Sequence, residues 1–146
     1  MGRMGSLNRE EFNWEKNFYI LMIIFFLIFL SLALARFNAF STLQDLSYYT
    51  HAIWYTTQGK ILYTTISTQG YNTLGNHMTP ILVFIAPFFY LLQSPGTLLF
   101  FQSLALALVA IPVFRFSRER LGSPFLGFIV GLAYLFHPTI WYNNLN

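Results

Sequence analysis

A polar leader gives way to an apolar run at Phe18, and no charge interrupts that run before Arg36. At about 1.5 Å of helical rise per residue the run covers about 27 Å, close to the hydrocarbon thickness of a bilayer. Tyr19 at one end and Arg36 with Phe37 at the other suit interfacial anchors. The pattern predicts a leader over 1–17 and a first membrane span over 18–35. Ala33-Leu34-Ala35 has the form of a signal-peptidase site, but the apolar run is too long for a signal peptide and the leader carries Glu10, Glu11 and Glu15. An uncleaved anchor is expected.

The stretch 36–80 is mostly polar and rich in Thr, Tyr, Gln and Asn. Within it, Leu46, Tyr49, Ile53 and Trp54 share one helical face, which predicts an amphipathic helix over 44–58 lying at the interface and ended by Gly59. Two further apolar runs, 81–92 and 98–114, flank the turn Ser94-Pro95-Gly96. The first is too short to span and is marked by Pro80 and Pro87, so it reads as a re-entrant or juxtamembrane helix. The second reads as a span, followed by a basic turn over 115–124. A last run over 125–141 predicts a third span, with an outer tail over 142–146. Gly127 and Gly131 have the small-residue spacing that lets two helices approach closely.

Basic residues orient the chain. Arg115, Arg118 and Arg120 form the tightest group. If all four apolar runs crossed, a cytoplasmic N-terminus would place this group outside, against the positive-inside rule. If 81–92 does not cross, both basic ends fall inside and 36–96 falls outside. The expected fold is therefore all-α and integral to the membrane: three transmembrane helices, an outer amphipathic helix and a short re-entrant or juxtamembrane helix.

Composition narrows the classes. Only 9% of residues are charged, far below a soluble domain, and the few Lys and Arg form no nucleic-acid surface. With no cysteine, disulfides and thiolate metal sites are excluded.

Between Glu15 and Glu119 the chain carries a single acid, Asp45. It has two readings. Thr42-Leu43-Gln44-Asp45 fits a helix start in which Thr42 caps and the acid caps back, and Ser41 with Gln44 offers the same pattern. Alternatively Asp45 is a general base or metal-binding carboxylate facing a cavity at membrane level. His77 and Asn76 stand in a polar cluster, Gly75 to Pro80, where the chain re-enters lipid. Lys60 is the only cation between Arg36 and Arg115. His51 sits mid-helix, off the Asp45 face. His137, before Pro138, is placed to reach the same cavity. Asp45, His77 and His137 form a conceivable metal set, though no close ligand spacing supports it. Phosphate loops, nucleophile elbows and zincin motifs are missing from the sequence.

The order of these features, with Asp45 opening the outer loop, Ala52-Ile53-Trp54-Tyr55, Gly59-Lys60-Ile61-Leu62-Tyr63, the His77–Pro80 re-entry and an Arg-rich stretch ending in Leu121-Gly122, resembles the N-terminal part of the GT-C integral-membrane glycosyltransferases. It is similar above all to the membrane family called domain of unknown function 2079, over 18–146. The resemblance implies a partial GT-C-like fold and polyprenyl-phosphate sugars as substrates. It gives Asp45 the role of catalytic residue and makes 81–92 the juxtamembrane helix lining the cavity. Lys60, Asn76 and His77 are then expected to bind substrate. Many members have two adjacent acids where this chain has Gln44-Asp45, so no cofactor is expected and a divalent metal has little support. GT-C proteins usually have more spans, so the resemblance implies an incomplete module, inactive alone.

The rival reading is a non-catalytic accessory subunit of a larger membrane complex, packing through Gly127, Gly131 and its aromatic faces. A carboxylate open to a cavity favours the enzyme; one turned onto its own backbone favours the subunit. A transporter fragment should carry polar residues at mid-depth, where the spans offer mainly Ser31, Gln102 and Ser103.

Overall fold

The computed structural model describes residues 13–41, 44–66, 71–75 and 77–145. The leader residues 1–12, Thr42, Asn76 and Asn146 lie outside them, so the Thr42 cap and the Asn76 contact have no structural description. The described residues form six helices and no strand: α1 Trp14–Asn38, α2 Gln44–Thr57, α3 Ile81–Leu91, α4 Gly96–Leu121, α5 Pro124–Leu135 and α6 Pro138–Leu145.

Helix α1 begins earlier than the apolar run because the Asn13 side chain accepts the Lys16 backbone N–H at 2.9 Å, capping the first turn. Its apolar residues surround the axis. Phe18, Phe25, Phe29 and Ala33 are buried, while Ile20, Ile23, Ile24, Leu27 and Ile28 face outward. A helix apolar all round belongs in lipid. α1 and α4 are both long and apolar enough to cross a membrane, and a third span is available if α5 and α6 count as one.

That last pair is broken. The run expected as one helix over 125–141 bends by 42° between α5 and α6. Pro138 has no N–H to give the Tyr134 carbonyl, which instead takes the His137 N–H at 3.0 Å. The Trp141 indole N–H then bonds the Leu135 carbonyl at 3.2 Å and holds α6 back against the end of α5. The arginines also sit differently from expectation. α4 continues through Arg115, Arg118 and Arg120, and the turn is confined to Gly122, a left-handed C-cap at φ 63°, and Ser123, which caps α5 ahead of Pro124.

In lipid, apolar burial does not itself drive helices together, so close steric fit must. The core of α1, α4 and α5 shows that fit. The Phe18 ring is fully buried and stacks on Phe114 with centroids 4.5 Å apart. The same ring lies over Gly131, where an added Cβ would come within 2.3 Å of it. At Gly127 a Cβ would meet Arg118 Cβ at 2.9 Å and the Phe114 carbonyl at 3.0 Å, so α5 rides directly on the α4 backbone. Ser103, Ala107 and Ala110 keep the buried stripe of α4 small.

The α1 and α4 helices run antiparallel. At one end Arg118 pairs with Glu15 at 2.5 Å and Arg115 donates to the Tyr19 hydroxyl at 3.2 Å. At the other end Gly96 meets Leu34. A second apolar cluster forms there: Ala52 and Ile53 of α2, Leu62, Leu82, Ala86 and Phe89 of α3, and Leu98 of α4. Thus α2 packs chiefly on α3 through Ala52 and Ile53, while Trp54 is exposed. α3 has 11 residues, about 16 Å, and is too short to cross.

Candidate functional site

Asp45 occupies the first turn of α2, where a negative charge is favoured by the helix dipole. Its side chain is exposed, and it lies on the wall of a cavity of about 510 Å³ with Leu46 and Tyr49 of the same helix. Ile81, Leu82 and Ile85 of α3 and Leu98, Leu99, Phe101 and Ala105 of α4 make the apolar walls. Thr79, Gln102 and the α6 residues Tyr142 to Leu145 complete the lining, and Ala33 of α1 closes it from behind. The cavity therefore combines a long apolar surface with a few polar groups, within the usual size of a small-molecule site.

No ion pair reaches Asp45 among the described residues. Its effect is visible on Tyr49: burial first, then the Asp45 charge and Tyr48, push the Tyr49 phenol above its ordinary value, so it remains a protonated donor. Ser41, the alternative capping residue, donates to the Ala39 carbonyl at 3.2 Å.

The far wall is fixed by a polar node inside the apolar core. Asn144 is 2% exposed; it accepts from the Ser103 hydroxyl at 2.7 Å and donates to the Phe29 carbonyl of α1 at 3.2 Å. Gln102 donates to the Asn143 carbonyl. One short helix is thereby tied to two long ones through groups that would be costly to leave unpaired.

The other residues singled out from sequence scatter. The His77 ring stands edge-on to Tyr48 and Tyr49, with centroids 5.7 and 5.9 Å away, beside the cavity but not on its wall. Lys60 lies beyond the far end of α2, about 18 Å of helix from Asp45. Its ammonium sits 5.4 Å from both the Tyr55 and Tyr63 rings. His51 meets the Thr64 hydroxyl at 3.3 Å. His137, expected to reach the cavity, faces a separate hollow with Val113, Val130 and Tyr134, where its Nδ1 accepts the Thr139 N–H at 3.3 Å. Among the described residues no three His, Asp or Glu side chains converge. Sequence reasoning did not single out Asn143 and Asn144. Their signal was an amide pair following Trp141-Tyr142 in a stretch read as a tail.

The apolar helices make the chain an integral membrane protein. No curated protein and no solved structure matches it. With residues 33–146 matched by the family described as predicted membrane protein (DUF2079), a stretch that takes in every described residue lining the cavity, the chain belongs to that family.

Proposed function

We propose that this chain is a membrane module of a glycosyl-transfer enzyme using polyprenyl-phosphate sugars, with Asp45 as the general base. The supporting observation is a carboxylate without an ion-pair partner among the described residues, held on a capacious, largely apolar cavity. In the reaction, the acceptor hydroxyl gives its proton to an Asp45 carboxylate oxygen. The acceptor oxygen bonds the sugar C1 while the bond from C1 to the phosphate oxygen breaks. The lipid phosphate leaves with that electron pair. Such a base contributes about 10²–10⁴-fold.

Topology supports the assignment. Asp45 sits at the opposite end of the α1 and α4 pair from Arg115, Arg118 and Glu15. The positive-inside rule then puts the N-terminus in the cytoplasm and Asp45 on the outer face. One carboxylate, with no second acid or imidazole on the described cavity wall, is a poor cage for a divalent ion, so no step is routed through a metal. The accessory-subunit alternative has less use for the glycine pair, because Gly127 is covered by Arg118 and Phe114 and Gly131 by Phe18, all within this chain.

The test is sugar transfer by the full-length or reconstituted enzyme that holds this module, assayed with radiolabelled polyprenyl-phosphate sugars. Asp45→Asn is expected to abolish transfer at unchanged expression, while Lys60→Ala, far along α2, retains it. Transfer by Asp45→Asn at the wild-type rate would sink the assignment.

A further inference from the structure

The cavity has a charge pattern that selects among amphiphiles. Asp45 is the only charged side chain on its described wall. None of the Lys and Arg among the described residues lines it. Arg115 and Arg118 bond Tyr19 and Glu15 at the opposite end of α4, and Lys60 lies over Tyr55 and Tyr63 past the end of α2. Arg36, one turn beyond Ala33, donates to the Ser41 carbonyl at 3.1 Å and does not line the cavity. Among the described residues, a phosphate placed there would meet a carboxylate and no cation.

The neutral polar groups suit a different head. Asp45 accepts, and the Thr79 hydroxyl, the Tyr49 phenol and the Gln102 amide sit among Ile81, Leu98 and Phe101. A hydroxyl both donates and accepts, so it satisfies an acidic acceptor and a neighbouring donor at once. We infer that this cavity binds the acceptor, an uncharged, hydroxyl-bearing amphiphile with an apolar tail, and discriminates against phosphate-headed lipids. This rests on the glycosyl-transfer assignment only in calling the ligand the acceptor; the donor phosphate is then held outside this cavity.

Binding can be read without turnover. The protein is placed in phosphatidylcholine nanodiscs and labelled with a diazirine-bearing long-chain alcohol, and labelled peptides are mapped. Unlabelled tetradecanol and tetradecyl phosphate compete at equal membrane concentrations. Label is expected in 81–85 and 98–105, displaced by tetradecanol, with tetradecyl phosphate about tenfold weaker or worse, given like charges a few ångströms apart. Asp45→Asn should shrink that preference several-fold, and Ala105→Phe, which puts a ring into the cavity, should weaken the label in both segments. Equal or stronger competition by tetradecyl phosphate against the wild type overturns the inference, as does label undiminished in Ala105→Phe. If the head-group preference holds while Asp45→Asn still transfers sugar, the catalytic assignment falls and the binding inference stands. If the preference is missing while Asp45→Asn loses transfer, the reverse is true.

Discussion

Replacing Gly131 by alanine puts a methyl carbon where the Phe18 ring already lies, 2.3 Å from Cε2 and 2.8 Å from Cζ. The ring has little room to withdraw. It is fully buried, stacked on Phe114 at an interplanar angle of 13°, and flanked edge-on by Phe128. Overpacking of this kind costs about 1–3 kcal/mol, of which the better helix propensity of alanine offsets up to about 1 kcal/mol. The expected net loss is about 1–2 kcal/mol. In a Phe18→Leu background the clashing ring atoms are gone, so the same Gly131→Ala change should be neutral or mildly stabilising. The assay is reversible unfolding in mixed micelles followed by tryptophan fluorescence, to which Trp14 contributes from its place against Phe125 and Phe128. Equal cost of Gly131→Ala in both backgrounds, within about 0.5 kcal/mol, would refute the Phe18 socket.

Three further outcomes follow from the same contacts. Asn144→Leu removes the bonds to Ser103 and Phe29 and takes the partner from the buried Ser103 hydroxyl, a loss of about 1–3 kcal/mol in the same unfolding assay. Glu15→Gln breaks a half-exposed ion pair with Arg118 and should cost less than about 1 kcal/mol. The Tyr49 phenol, raised by burial first and Asp45 second, should titrate above 10.0 in an ultraviolet difference titration against Tyr49→Phe. Because its folded value lies above the unfolded one, the associated stability is present below pH 10 and is lost as pH rises through the folded value; Asp45→Asn should lower that value without returning it to normal.

Hydropathy made the apolar runs legible, and length, two prolines and the charge distribution marked 81–92 as non-crossing; the helix found there, Ile81–Leu91, is short. It missed the break at Pro138, because an averaged signal carries the strongly apolar α5 through the bend into the less apolar start of α6. It also assigned Arg115 and Arg118 to a turn, although the residues that can end the helix are Gly122 and Ser123. Asp45 was conspicuous as an isolated acid, and its place at a helix start followed from local spacing. The opposite wall of the cavity was not legible. Asn144 reaches Ser103 and Phe29 only after α6 folds back, and such tertiary pairing leaves no periodic trace. For the same reason Gly131 showed its spacing but not the ring that fills it.

Asp45 as the proton acceptor is tested most directly by steady-state sugar transfer in the full-length or reconstituted enzyme with acceptor varied, comparing wild type with Asp45→Asn. The expected result is a fall in kcat of about 10²–10⁴-fold with KM for the acceptor changed far less. An unchanged kcat, or a loss confined to KM, would contradict it.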